Sequence, residues 1–455
     1  MLDIIILAAG EGKRMNSALP KVLQPVGGRP MLAHLIDTVR ELSPETIRIV
    51  IGAGADQVRE RLDAADIDWV LQEERLGTGH AVMQAMPDID PQARVLVLPG
   101  DMPLIRAATL RQLLQSGADL AVLSFLADDP AGYGRILRND EGSVRAIREH
   151  RDASDDELIV DEVNSGVLCA TAGNLTAWLD RIRADNAQGE YYLTDCVGIA
   201  VTAGHNVDAV LAGQAEELLG ANDRSQLAGL EQVFQQRARQ QLFDQGVTLL
   251  DPASVQVRGR VRCGRDVVID TSVVLNGDIE LGDGVSIGPG CVLTNSRLAP
   301  GTRLEAYCVL EGVATSGACT IGPFARLRPG TKLAEGVRIG NFVETKNARF
   351  AAGAKASHLS YVGDAEVGER ANLGAGTITC NYDGANKHRT DIGNDAFIGS
   401  NSALVAPVRI GQAATVGAGS VITRGVPDGR LALARGRQRI IEDWQRPVKK
   451  DSKDS

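Results

Sequence analysis

A chain of 455 residues exceeds one ordinary domain of roughly 100–200 residues, so two or three domains are expected. Apolar residues make up 44% and charged residues 23%, which excludes a disordered chain, while 4% aromatics against 50 glycines points to a glycine-punctuated fold with small, repeated core positions. A net charge of −10 argues against general nucleic-acid binding, and no stretch reaches the roughly 20 apolar residues of a bilayer span.

The start, Met1-Leu2-Asp3-Ile4, carries an acid where a secretory signal has bases and runs straight into a strand pattern. Seven cysteines, without a CxxC pair, read as free thiols in a reducing cytoplasm and leave no basis for a zinc site. Over the first 220 or so residues, apolar runs at 3–9, 46–52, 94–98 and 119–125 alternate with helical patterns. In the segment 31–42, apolar residues at 32, 35, 36 and 39 have helical spacing. Such alternation means a parallel-dominated α/β sheet covered on both faces, with ligands at the carboxyl ends of its strands. Residues 224–246 then read as one connecting helix, with Leu227, Leu230, Phe234 and Leu242 on one face.

From about 247 to 440 the period becomes six. Ile269, Leu275, Leu281, Ile287 and Leu293 are so spaced, as are Ile321, Leu327, Leu333 and Ile339, and then Ile392, Ile398, Leu404, Ile410, Val416 and Ile422. Glycine follows directly at Gly282, Gly288, Gly322, Gly340, Gly393, Gly399, Gly411 and Gly417. This is the hexapeptide signature of a parallel β-helix, three hexads to a coil and about ten coils in all. Proteins that this half resembles coil left-handed and trimerise. The register slips twice, between Ile339 and Val367 and between Leu373 and Ile392, and the second gap holds the polar segment Thr379–Thr390, expected outside the coil core. Function concentrates in such expelled loops. Residues 441–455, charged from Pro447 on, read as a flexible tail.

The first strand leads into Leu7-Ala8-Ala9-Gly10-Glu11-Gly12-Lys13-Arg14-Met15, a turn of small residues with basic neighbours that can aim backbone N–H groups at phosphates. It lacks the Walker pattern. With Leu19-Pro20-Lys21 it resembles the loop of sugar-phosphate nucleotidyltransferases. Gln72, Gly77-Thr78-Gly79-His80, Gly100-Asp101, Tyr133-Gly134-Arg135, Glu149-His150, Glu162-Val163-Asn164 and Ala221-Asn222-Asp223 follow in that family's order. With the hexads behind it, the chain resembles the bifunctional bacterial N-acetylglucosamine-1-phosphate uridyltransferases and glucosamine-1-phosphate acetyltransferases over about residues 3–440. One departure is Lys13, where the family motif usually has threonine; the loop keeps its shape and its phosphate contacts stay open.

The resemblance implies a Rossmann-like nucleotidyltransferase domain over 1–223 and a left-handed β-helix acetyltransferase domain over 247–440. It implies acetyl transfer from acetyl-CoA to glucosamine-1-phosphate, then uridylyl transfer from UTP to N-acetylglucosamine-1-phosphate. The UDP-N-acetylglucosamine formed supplies peptidoglycan and lipopolysaccharide synthesis. Mg²⁺ on Asp101 and Asn222 is implied, with Arg14 and Lys21 on the triphosphate. UTP and UDP-sugar contacts fall on Leu7, Ala8, Ala9, Gly10, Lys21, Gln72, Gly77, Thr78, Gly134, Glu149, Asn164 and Asn222. In the second half the resemblance makes His358 the base, with Glu344 or Asp364 to orient it. Arg328, Lys346, Tyr361, Asn372 and Lys387 would hold the sugar phosphate, and Asn381, Tyr382, Ser400, Ala418 and Arg435 acetyl-CoA, along an edge between copies of a cytoplasmic homotrimer. The alternative is a single-activity sugar-1-phosphate nucleotidyltransferase whose β-helix serves only to trimerise. Neither reading involves nucleic acid or membrane.

Overall fold

The computed structural model describes residues 1–62 and 64–447, so the tail beyond Pro447 lies outside the described residues. The chain forms two compact units, Met1–Gln240 and a second from Gln241 on.

In the first unit, apolar residues alternate across buried strands, which lets both faces of one sheet bury side chains. Ile4, Ile6, Ile49 and Leu98 point to one face and join Leu32, Leu35, Ile36 and Val39 of the helix Met31–Arg40. Ile5, Val50, Val95 and Val97 point to the other, against Ala81, Val82 and Ala85 of the helix Thr78–Ala85. Across the sheet the strands run Val207–Leu211, Leu120–Leu126, Glu162–Thr171, Arg94–Pro99, Leu2–Ala8, Thr46–Ile51 and Ile67–Leu71. All pairings on this path are parallel except those of Glu162–Thr171, which is antiparallel to both neighbours. That reversal brings Asn164 opposite Ser124, near the carboxyl end of its partner strand. The helix Arg224–Asp244 sets Leu230, with Leu227 and Phe234, into a small core with Met15, Val26, Met31 and Leu104.

The second unit is a parallel β-helix. An eleven-stranded sheet, from Thr248–Leu249 to Leu431–Ala432, stacks one short strand per coil, and a fifteen-stranded sheet carries the rest. Every hexad aliphatic named above is buried. The glycines that follow them face the next coil closely: a Cβ on Gly374 would stand 2.7 Å from both Ile398 O and Ser400 N, which only backbone movement could relieve. Coils are eighteen residues long at Ile269/Ile287 and seventeen at Ile339/Ala356 and Ala356/Leu373, which accounts for the first slip. The second slip is larger than the spacing indicates, because Leu373 stacks on Ile398, not Ile392, a coil of twenty-five residues. The surplus leaves the coil after Cys380 and returns at Thr390. The ends of that polar segment are core all the same. Thr379 is buried with its hydroxyl bonded to Gly363 N and O at 2.7 and 3.0 Å, which makes a polar side chain tolerable inside the coil, and Thr390 is buried too. All seven cysteines are free.

Candidate functional sites

In the first unit the carboxyl edge of the sheet opens on a cavity of about 760 Å³, in the range of small-molecule sites. Leu7, Ala9, Gly10, Gln72, Gly77, Thr78, Glu149 and Asn164 line it, eight of the residues named from sequence. Ala8 instead lies in the sheet core, so only its backbone is available. Gln72, 4% exposed, donates from Nε2 to Gly77 O at 3.3 Å and meets His80 Nδ1 at 3.0 Å, which fixes its amide at the wall. Gly77 has φ +110°, and a Cβ there would strike Tyr191 O at 2.6 Å, so glycine is required where the chain turns into the helix at Thr78. Gly134 holds Asn164 by its carbonyl, which accepts from Asn164 N at 2.8 Å. Glu149 accepts from Thr194 Oγ1 at 2.8 Å; burial, with Asp152 and Glu190 nearby, raises its carboxyl above the usual range despite that bond.

Beyond this wall, three residues far apart in sequence converge. Lys21 Nζ stands 2.5 Å from Asp101 Oδ2 and donates to Asn222 Oδ1 at 2.7 Å. The lysine and aspartate side chains are 16% and 17% exposed, so the charges are largely desolvated. Gly12 abuts Lys21, its absent Cβ lying 2.7 Å from that of the lysine, and Gly220 gives Asp101 room in the same way. Two oxygens that converge on one ammonium are the kind of donors a hard cation takes. Among the described residues no group of three or more His, Cys, Asp or Glu is placed to hold a metal, so a site here would rest on one carboxylate, an amide oxygen and water. Arg14 is exposed and has no ion pair among the described residues.

In the second unit, Asn341 and His358 stack as register partners at the ends of adjacent strands. Asn341 Oδ1 lies 2.7 Å from His358 Nδ1. A carbonyl cannot donate, so with Oδ1 as partner Nδ1 is the donor, and Nε2 is the ring nitrogen left to exchange a proton. Neither carboxylate left open by the sequence performs this task. Glu344 pairs with Arg328 at 3.0 Å, and Asp364 accepts from Asn347 and Asn381 at 2.7 and 2.5 Å. Asn341 was missed because its partner is seventeen residues away and only coil stacking joins them.

Lys346 stacks on Gly363 in the strand register, and the expelled loop brings Lys387 against Lys346. Contact with Lys387, reinforced by Arg328, lowers the Lys346 ammonium below its usual range, the mark of cations gathered with too few anions. A Cβ on Gly363 would collide with Tyr361 Oη, so the glycine makes room for the phenol beside Asn381. Tyr382 is exposed and its hydroxyl donates to Gly384 O at 2.6 Å, shaping the loop. Asn372 stands in register with Lys355 and Phe397, and no contact among the described residues ties it to the cationic cluster. Along the corner that starts at His358, the backbone ladder runs from Ala375 to Asn401 and from Ser400 to Gly419, and Arg435 donates to Ala418 O at 2.8 Å. Ser400, Ala418 and Arg435 therefore share one edge.

Residues 4–174 match the MobA-like NTP transferase domain, residues 260–295 the bacterial transferase hexapeptide (six repeats), and 389–424 the hexapeptide repeat of succinyl-transferase. The chain is 56% identical over 450 residues to the bifunctional protein GlmU of Stenotrophomonas maltophilia (strain K279a), covering 99% of each. It is 55% identical over 451 residues to that of Stutzerimonas stutzeri (strain A1501), covering 99% of this chain and 100% of the relative. With a matching nucleotidyltransferase domain and a hexapeptide β-helix in one chain of matching length, the protein belongs to the family of the bifunctional protein GlmU.

Proposed function

We propose that the protein acetylates glucosamine-1-phosphate with acetyl-CoA in its β-helix unit and couples the product to UTP in its α/β unit, forming UDP-N-acetylglucosamine and pyrophosphate. The observation that carries this reading is the pairing of an oriented imidazole, Asn341–His358, with the Arg328, Lys346 and Lys387 cations in the second unit. A scaffold has no use for either.

For acetyl transfer, His358 Nε2 takes the proton as the amine nitrogen attacks the thioester carbonyl; the C–S bond breaks and the CoA thiolate leaves, taking that proton back from the imidazole. The cations, with Tyr361 and Asn372, hold the sugar phosphate. Asn381, Tyr382 and the Ser400, Ala418 and Arg435 edge take acetyl-CoA. For uridylyl transfer the enzyme needs no nucleophile: the sugar phosphate oxygen attacks the α-phosphorus and pyrophosphate leaves. Gln72, Gly77 and Thr78 hold the base, and Gly134, Glu149 and Asn164 the sugar. The loop at Leu7–Gly10 receives the phosphates with Arg14 and Lys21. Mg²⁺ on Asp101 and Asn222, once bound, supplies charge neutralisation on the phosphates.

A homotrimer built on the β-helix, in the cytoplasm, completes the reading. The exposed rings of Tyr307, Phe324 and Phe342, stacked at 5.2 and 5.4 Å along one corner, support association through this unit. The test is incubation with glucosamine-1-phosphate, acetyl-CoA, UTP and Mg²⁺ with products read by mass spectrometry. Omitting Mg²⁺ should leave N-acetylglucosamine-1-phosphate to accumulate. Protein that consumes supplied N-acetylglucosamine-1-phosphate but never acetylates the amine would reduce the β-helix to a scaffold.

A further inference from the structure

A charged bridge ties the phosphate loop to the loop after strand Ile67–Leu71. Glu11 Oε2 pairs with Lys13 Nζ at 2.8 Å, and Glu11 Oε1 pairs with Arg75 Nη1. All three side chains border the 760 Å³ cavity, next to Gly10, Gln72 and Gly77. Lys13 and then Arg75 hold the Glu11 carboxyl below its usual range.

The bridge is a poor stabilising device. The Lys13, Arg75 and Glu11 side chains are 85%, 44% and 31% exposed, and ion pairs in water contribute little. Its charge balance is uneven, with two cations on one carboxylate and Arg14 exposed close by in the same loop. Glu149 and Glu190 line the same cavity but pair with neither cation among the described residues, so Lys13 and Arg75 together suit a stronger anion than the single Glu11 carboxylate. Polyphosphate offers more charge and more acceptor oxygens than one carboxylate, and the planar fork of Arg75 can meet two of those oxygens at once.

We propose that Glu11 is an internal stand-in for polyphosphate: it holds Lys13 and Arg75 in the free chain, and the outer phosphates of a nucleoside triphosphate displace it, so that Arg75 and Lys13 become phosphate ligands. This rests on the uridylyl-transfer reading above. It also gives Lys13 a task that threonine at that position could not perform.

The test is calorimetric titration of the full-length protein with UTP and with UMP, in EDTA, for wild type, Glu11→Gln, Arg75→Gln and the double variant. Arg75→Gln should weaken UTP about tenfold, the loss of one charge-assisted hydrogen bond, and leave UMP nearly unchanged. Glu11→Gln should tighten UTP about threefold, since its cations no longer need releasing. The Arg75→Gln penalty should grow in the Glu11→Gln background, because there the arginine is already free. If the bridge merely fastens two loops, both single variants will weaken UTP alike and the double will add nothing, and the proposal falls. Equal losses for UTP and UMP would also overturn it. A wild-type protein that binds neither nucleotide, in EDTA or with Mg²⁺ added, would remove the uridylyl-transfer reading itself.

Discussion

Replacing Lys21 with methionine tests the cation site through a quantity other than turnover. In the free chain the lysine ammonium sits on the two oxygens a divalent ion would need, 2.5 Å from Asp101 and 2.7 Å from Asn222. A divalent ion must therefore evict the ammonium before it can bind. An ion contact at an effective dielectric near 20 and about 4 Å is worth roughly 4 kcal/mol before desolvation. Burying the pair costs about half of that, leaving about 2 kcal/mol that the ion has to overcome. Methionine keeps the length and apolar stem of lysine and removes the competitor. Lys21→Met should then bind Mn²⁺ about thirtyfold more tightly than wild type by electron paramagnetic resonance titration in the absence of nucleotide. The same variant should lose uridylyl transfer by at least about a hundredfold, because no ammonium remains for the phosphates, while acetyl transfer is unchanged. Tighter metal binding beside lost turnover is the signature. Mn²⁺ affinity equal to or below that of wild type would refute the idea that lysine and metal share the two oxygens.

Asn341→Ala should lower kcat for acetyl transfer about 10–100-fold by freeing the imidazole ring to rotate, with KM for glucosamine-1-phosphate and the uridylyl activity unchanged in separate assays. Burial first, and then the Glu149 carboxylate, push Asp195 up from 3.8 to about 6. A carboxyl that holds its proton more tightly folded than unfolded costs stability once ionised, so the cost is absent below about pH 4, grows through about pH 6 and is full above. Asp195 is only half buried, so after solvent screening about 1 kcal/mol remains; Asp195→Asn should melt higher than wild type near pH 7.5 and equally near pH 4 by calorimetry. Deleting Gly384–Asn386 from the expelled loop should leave the β-helix melting transition in place, since Val367/Ile392 and Leu373/Ile398 still stack, while raising KM for glucosamine-1-phosphate about tenfold as Lys387 loses its place.

The parts of the fold that repeat were legible. Six-residue spacing follows from coil geometry, and Ile398, Leu404, Ile410 and Val416 are all fully buried, as that period requires. The helix at Met31–Arg40 was equally plain, because Leu32, Leu35, Ile36 and Val39 mark one face. What the spacing did not reveal is which coil stacks on which. Comparing Leu373 with Ile392 counts along the chain, whereas the structure pairs Leu373 with Ile398 and Val367 with Ile392, so the extra length is a loop rather than a slip of one residue. Thr379 broke the rule that the core is aliphatic because the backbone of Gly363 satisfies its hydroxyl on both sides.

The two sites were hidden for different reasons, and the difference bears on how each tolerates change. Lys21, Asp101 and Asn222 belong to three loops whose meeting depends on strand order in the sheet, not on any local pattern. Each can be found in sequence only as part of an ordered set of motifs, and loss of any one leaves the sheet that places the others intact. Asn341 and His358 depend instead on register: they meet because one coil is seventeen residues long. A residue added or removed at a turn between them can be absorbed, as the change from eighteen- to seventeen-residue coils is, whereas one taken up within the paired strands would separate the pair, although both residues remained. The hexad aliphatics that fix this register therefore protect the chemistry as well as the core. That is why the polar surplus leaves the coil at one point, after Cys380, and returns at Thr390 with the stacking of Leu373 on Ile398 preserved.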